Sequence, residues 1–239
     1  SSLSETDAPP KSCGYRPGSL ASPPVIHQYE RSFVHLEIKS RDCKMAEKTK
    51  PAAHPRRLQI VEAALACFLE AGYHQTGVRD IARRAGISLG NLYNHFSGKE
   101  AVLAEIARLE ADELRPFCTI LTEGRDPQAT LRRFVTDYAA YASRPENAVL
   151  GLEILSEAIR APRIAALFSD NRAALVAALA DLLACGSKSG AFRPFDTPKE
   201  TARLLLDVIE GRALRTLLEE KPQAGEDALW SFVEGAVGV

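Results

Sequence analysis

From residue 55 onward, apolar residues recur at three- and four-residue spacing, which places them on one face of each helix in a series. From Pro55 to about Glu70 the inward stripe is Ile60, Ala63, Ala64, Cys67 and Phe68. Gly72 ends this helix, and Tyr73 packs after the break. Val78, Ile81, Ala82 and Ala85 form the apolar face of a short second helix whose other face carries Arg79, Arg83 and Arg84. Gly77 is its expected N-cap, Asp80 sits in the favourable first turn, and Gly86 stops it. Ser88 then supplies an oxygen to cap a third helix that Leu92 and Phe96, four apart, anchor inward. Leu89, Asn91, Tyr93, Asn94 and His95 are distributed over its remaining surface.

Ser97-Gly98-Lys99-Glu100 has the pattern of a capping box with Ser97 at the cap, opening a long helix to about Thr122. Its stripe is Val102, Ile106, Leu109, Phe117 and Ile120. Asp126-Pro127 starts a helix to about Ser143 bearing Leu131, Phe134, Val135, Tyr138 and Tyr141, since proline is tolerated at the first helical position. Pro145 begins a shorter one to Arg160 with Val149, Leu150, Leu152, Ile154 and Leu155, and Pro162 begins the next, to about Lys188. After a connector, Thr197-Pro198-Lys199-Glu200 reads as a second capping box, opening a helix to about Glu220. Leu206, Ile209, Ala213 and Leu217 line one face of that helix, and Gly211 removes a side chain beside the stripe. A last helix from Asp227 to about Val237 bears Leu229, Trp230, Phe232 and Val233. No internal repeat is visible and no strand is predicted in the body. The expected fold class is all-α.

The first 44 residues differ from the rest. They are rich in Ser and Pro and contain Pro9-Pro10 and Pro23-Pro24, which disfavour regular structure. Between Phe33 and Ile38 the alternation of Val34, Leu36 and Ile38 suits a brief strand, which is marginal alone. Met45 is the only methionine and precedes the first helix by about ten residues. Two readings stand. Residues 1–44 are an extension added upstream by a tag, a vector or an over-long gene model, or they are a flexible arm whose neighbouring Lys44, Lys48, Lys50, Arg56 and Arg57 add phosphate contacts.

The net charge of −1 conceals an asymmetry: residues 46–100 carry 8 Lys+Arg against 5 Asp+Glu, and residues 101–239 carry 16 against 21. A basic head on an acidic body fits a nucleic-acid partner, although so small a positive balance also fits an ordinary solvated surface. Cys13, Cys43, Cys67, Cys118 and Cys185 are scattered, with no C-x-x-C pair and no histidine at metal spacing. They predict a reducing, cytoplasmic setting and no metal site. No apolar run reaches the length of a membrane span, so no membrane partner is expected. Gly-rich phosphate loops and H-E-x-x-H are absent, and His27, His35, His54, His74 and His95 all lie in the arm or head. Catalysis and a bound cofactor are therefore not expected.

Gly77 to Phe96 reads as two short helices joined by a tight turn, the arrangement in which the second helix enters a DNA major groove. Residues 56–103, through Ala71-Gly72-Tyr73, Val78-Arg79-Asp80-Ile81-Ala82, Ala85-Gly86-Ile87-Ser88, Leu92-Tyr93-Asn94-His95-Phe96 and Lys99-Glu100, resemble the DNA-binding domain of TetR/AcrR-type transcriptional regulators. The segment Glu157 to Ile164 resembles the body of that family more loosely. The sequence departs from the family pattern at Gly77, where Ser or Thr is usual, and at Leu89, where a polar or basic residue is usual.

The resemblance implies a DNA-binding domain over residues 45–98 and an all-helical ligand-binding and dimerisation domain over residues 99–239. It assigns Tyr93 and Lys99 to phosphates, with Ser88 and Thr76 assisting. Asn91, Asn94 and Leu89 are the base-reading candidates, because asparagine suits adenine and leucine can meet a thymine methyl. His95 is open between a local structural bond and a DNA contact. A pocket among the middle helices is implied, with Phe117, Leu121, Tyr138 and Tyr141 as wall and Glu153 and Glu157 as polar groups, although a solvated helix face also explains the two carboxylates. A homodimer is implied too, its interface expected at Leu206, Ile209, Gly211, Ala213, Leu217, Trp230 and Val233. The function expected is a repressor released from a palindromic operator by a mostly apolar small molecule. The alternative is a protein adaptor of the same fold that does not touch DNA.

Overall fold

Among the described residues of the computed structural model, 55–218 and 226–238, the chain is helical and contains no strand. The helices are α1 (Pro55–Ala71), α2 (Val78–Arg84), α3 (Leu89–His95), α4 (Lys99–Glu123), α5 (Pro127–Ala142), α6 (Pro145–Arg160), α7 (Pro162–Ser189), α8 (Pro198–Thr216) and α9 (Glu226–Val237). The readings of residues 1–44 and of the Phe33 to Ile38 strand lie outside the described residues.

Proline at the first position of α5, α6, α7 and α8 explains their starts, since its missing N–H would have had no partner there. Asp126 caps α5 by accepting from the amides of Gln128 (2.9 Å) and Ala129 (3.0 Å). Gly72 after α1 and Gly190 after α7 each have φ of 79°, the left-handed conformation that lets the chain leave a helix end. The two expected capping boxes do not form. Gly98, not Ser97, is the N-cap of α4, and Thr197 caps α8 without a side-chain hydrogen bond. Glu200 turns instead to Arg203, at 2.5 Å.

Helix α4 links the two regions that the sequence divides at residue 98. Val102, Leu103 and Ile106 on its first half are buried, and α4 packs there against α1. Leu114 and Leu121 on its second half enter the main core. Twenty-five residues at 1.5 Å each make this helix about 37 Å long, enough to run from head to body. Pro116 lies within it, which removes the hydrogen bond to the Asp112 carbonyl and favours a bend at that point.

The head core is small: Ile60, Ala64 and Phe68 of α1 join Ile81, Leu92 and Phe96, all nearly inaccessible to solvent. The main core joins Leu131, Phe134 and Val135 of α5 to Leu175, Leu179 and Leu183 of α7, with Leu205, Leu206 and Ile209 of α8 and Val233 of α9. Helix α6 stands apart. Of its residues only Ala148 is buried, while Leu152, Leu155 and Ile159 are 50%, 56% and 79% exposed.

Candidate nucleic-acid interface and effector region

The turn between α2 and α3 is built as the sequence predicts. Gly77 is the N-cap of α2, and its N–H donates to Asp80 Oδ2 at 3.0 Å. The Ile87 amide closes on the Ala82 carbonyl at 3.0 Å, and Ser88 Oγ accepts from the Asn91 amide at 3.1 Å. Leu92 is fully buried and Phe96 nearly so, which orients α3 with its other side outward. Ser88, Tyr93 and Asn94 are exposed, Tyr93 at 52%, and Leu89, Asn91 and His95 are half-buried. Gly90, exposed in the first turn of α3, was not singled out in the sequence; with no side chain it lets another backbone come close.

Two of the expected phosphate contacts need correction. Thr76 is only 3% exposed, and its hydroxyl donates inward to the carbonyls of Gly72 (2.8 Å) and Cys67 (3.1 Å), so it ties the loop to α1 and does not face DNA. Lys99 is half-buried, with Nζ donating to the Tyr73 carbonyl at 2.6 Å and the His74 carbonyl at 3.4 Å, 4.2 Å from the centre of the Tyr73 ring. Burial pulls its pKa below the usual lysine value, against the opposing charge of Glu157. At most one of its three N–H groups is left for a phosphate. Arg57, unremarked as a structural residue in the sequence, stacks over the Phe96 ring at 4.3 Å and donates to the His95 carbonyl and to Glu105, bracing α3 against α1 and α4.

Phe117, Tyr138 and Tyr141 do come together between α4 and α5. Ring centres lie 5.3 Å apart from Phe117 to each tyrosine and 6.1 Å between the tyrosines. Tyr138 donates to Glu210 at 2.9 Å and Tyr141 to Glu113 at 3.0 Å; burial, and then the neighbouring carboxylates, raise both phenol pKa values. Arg172 also binds Glu210 (3.1 Å), and Asn171 holds Glu110 at 2.7 Å. None of these five polar partners was named from the sequence, because they lie on α4, α7 and α8 at separations no local pattern encodes.

The other effector candidates are elsewhere. Leu121 is 4% exposed and, like Tyr138 at 7%, is packed in the main core, so it adds no exposed surface of its own to the ring cluster. Glu153 and Glu157 face the head: Glu153 accepts from the Tyr73 amide at 3.1 Å, and Glu157 lies 4.0 Å from the His74 imidazole. The interface candidates divide as well. Leu206, Ile209, Ala213 and Val233 are at most 2% exposed in the chain's own core and are unavailable to a second chain. Gly211 is exposed, and Leu217 and Trp230 are half-buried.

Burial pushes the Glu110 carboxyl above its usual range, against the lowering effect of Asn171. A raised folded-state pKa gives a contribution to stability that is full in acid and lost as pH rises through that pKa. Glu110→Gln keeps an acceptor for Asn171. It is expected to raise the melting temperature at about pH 8 and leave it unchanged at about pH 4, a difference that thermal unfolding at the two pH values reads directly.

The family model for bacterial regulatory proteins of the tetR family matches residues 60–106, and that for the C-terminal part of BetI-type transcriptional repressors matches residues 127–237. HTH-type transcriptional repressor KstR2 of Mycobacterium tuberculosis (strain ATCC 25618 / H37Rv) is 31% identical over 141 residues, 58% of this chain and 70% of the relative. The chain belongs to the TetR family of transcriptional regulators. HTH-type transcriptional regulator UidR of Escherichia coli (strain K12) is 27% identical over 171 residues, covering 70% of this chain and 84% of that one. Among solved TetR-type folds, Salmonella enterica GusR superposes with a TM-score of 0.65 over 81% of this chain and all of its own, at 23% identity. Among the described residues no helix is long and apolar enough to cross a membrane.

Proposed function

We propose that this TetR-family chain is a repressor that binds a near-palindromic operator as a homodimer and leaves it when a small molecule enters the body. The observation that carries the DNA reading is the outward face of α3, where a capped, braced helix presents Ser88, Tyr93 and Asn94 to solvent beside half-buried Leu89 and Asn91. The head is α1 to α3 together with the start of α4, and the body is the rest of α4 with α5 to α9.

The effector region is the ring cluster of Phe117, Tyr138 and Tyr141. Its polar neighbours Glu110, Glu113 and Glu210 are acceptors when ionised, so a mostly apolar molecule whose polar group donates hydrogen bonds suits it. A bound effector must prefer the free dimer to the DNA-bound one, and DNA must weaken effector binding by the same factor.

The DNA reading is tested by fluorescence anisotropy with the duplex upstream of the gene and with random duplex, over a range of salt. Affinity is expected to fall steeply with salt as phosphate neutralisation releases counterions. Tyr93→Phe, which removes the exposed hydroxyl that this reading assigns to phosphate, should weaken both duplexes alike. Asn91→Ala should cost about 1 to 3 kcal/mol on the operator and little on random DNA. Equal losses on both duplexes from both variants would remove the division between backbone and base contacts. Absence of binding by the unaltered chain would favour the adaptor.

A further inference from the structure

We propose that Glu153 of α6 is the positioning residue through which the body sets the placement of the recognition unit, acting on the Tyr73 amide. This rests on the regulator reading above and names a route between its two regions. The loop from Gly72 to Gly77 joins α1 to α2, and it is gripped on both edges of its backbone. On one edge the Tyr73 N–H donates to Glu153 Oε2 at 3.1 Å, from a residue 80 positions further along the chain. On the other, Lys99 donates to the Tyr73 carbonyl at 2.6 Å. A side chain at Gly72 would place its Cβ 3.0 Å from the same Glu153 oxygen, so glycine there, already required by its φ of 79°, also leaves the carboxylate its approach.

The loop itself is stiff. The Tyr73 ring packs edge-on against Phe68 with centres 5.1 Å apart, and the Thr76 hydroxyl bonds the Gly72 and Cys67 carbonyls. Its last residue, Gly77, is the N-cap of α2, which packs on α3. A displacement of the Tyr73 peptide is therefore carried into the helix-turn-helix unit and not absorbed by the loop.

Helix α6 is the opposite case. With Ala148 its one buried residue and three large apolar side chains in solvent, it buries fewer residues than any of the body's other helices, and such shallowly buried elements are the ones that move. It packs against both α7 and α8, which flank the effector region, and against α1. A shift of α6 driven from the body thus reaches the head through the Glu153 carboxylate. Glu157, one turn on and near His74, strengthens the negative side of the same contact.

The test uses amide hydrogen exchange on the full chain and on Glu153→Ala and Glu153→Gln, with and without a saturating near-palindromic duplex selected by the unaltered protein. Without DNA, the Tyr73 amide in Glu153→Ala should exchange roughly fivefold to tenfold faster, the change expected for losing one hydrogen bond. Glu153→Gln, which retains an acceptor oxygen, should return it to near the original rate, and neither variant should unfold appreciably earlier on heating. By reciprocity, DNA binding should alter exchange within residues 149–160 of the unaltered chain and of Glu153→Gln, and alter it by less than half as much in Glu153→Ala. A Tyr73 amide indifferent to Glu153→Ala overturns the contact. An undiminished α6 response in that variant overturns the positioning role while leaving the regulator reading intact. If the unaltered chain binds no duplex, the regulator reading fails and takes the role with it, whatever the Tyr73 amide does.

Discussion

Leu204→Asp is expected to give a folded monomer that has lost operator affinity, whereas Leu206→Asp, two residues away, is expected not to fold. Leu204 is 64% exposed and begins a stripe on the outer face of α8 that continues at four- and three-residue steps through half-buried Val208 and exposed Gly211 and Arg215. A second stripe on α9 runs through Ala228, Phe232 and Gly235, with Phe232 54% exposed. Exposed leucine and phenylalanine at such spacing, with glycines that let helices approach, suit a four-helix contact between two copies. An aspartate at 204 would bring two like charges into that contact across the two-fold axis without disturbing the core.

Leu206 is the contrary case, fully buried between α5, α7 and α8. Removing such a side chain costs about 2 to 5 kcal/mol, and a buried unpaired carboxylate adds to that loss. Sedimentation and circular dichroism separate the outcomes: half the mass with full helicity for Leu204→Asp, and lost helicity for Leu206→Asp. Joining two heads multiplies affinity by about a hundredfold or more, so the Leu204→Asp monomer should lose at least that on the operator. A dimer of unchanged mass would move the interface away from this face.

Gly186→Ala is expected to destabilise the body by about 3 kcal/mol, the upper part of the range for overfilling a packed site. In an exposed helix the same change is favourable by about 1 kcal/mol, because glycine has more conformational freedom to lose. Here the sign reverses. A Cβ at 186 would overlap the ring of Phe192, which is 3% exposed and seated directly over this glycine. The ring cannot swing aside freely, since the Ala191 and Phe192 amides both donate to the Gly186 carbonyl, at 2.9 and 3.1 Å. Denaturant unfolding of Gly186→Ala, Phe192→Ala and the double variant tests the account. The double variant should be less destabilised than the sum of the two, because Phe192→Ala opens the space that the new methyl needs. Strict additivity would mean that the ring and the glycine are not in contact in solution.

The head was legible in the sequence because its signals are local. Gly77, Asp80, Gly86 and Ser88 act within one helical turn of where they stand, and Leu92 and Phe96 point inward because a helix repeats every 3.6 residues. The prolines at 127, 145, 162 and 198 marked helix starts for the same reason. Spacing alone placed an apolar stripe on α8, and it could not say whether that stripe meets its own chain or a second one. Leu206, Ile209 and Ala213 are periodic and so is Leu204 with Val208 and Gly211; only the packing of α5 and α7 against the first set decided which is core. Capping boxes failed at Ser97 and Thr197 because the pattern proposes a hydrogen bond that competing partners can remove, as Arg203 does for Glu200.

The same limit governs the polar residues. Thr76 and Lys99 read as phosphate contacts from their positions in a motif, yet a hydroxyl or ammonium bonds whatever carbonyl is nearest in space, and for both that is the backbone of the α1–α2 loop. Glu153 and Glu157 were rightly placed one helical turn apart, while the partner they face is set by how α6 lies against α1. The sequence by itself determined the helices and the inward faces of α1, α2 and α3, because these follow from interactions within a few residues. Which apolar face is covered, which carboxylates gather around the Phe117, Tyr138 and Tyr141 rings, and how the body grips the head were decided only by the tertiary structure, since each depends on contacts between residues far apart in the chain.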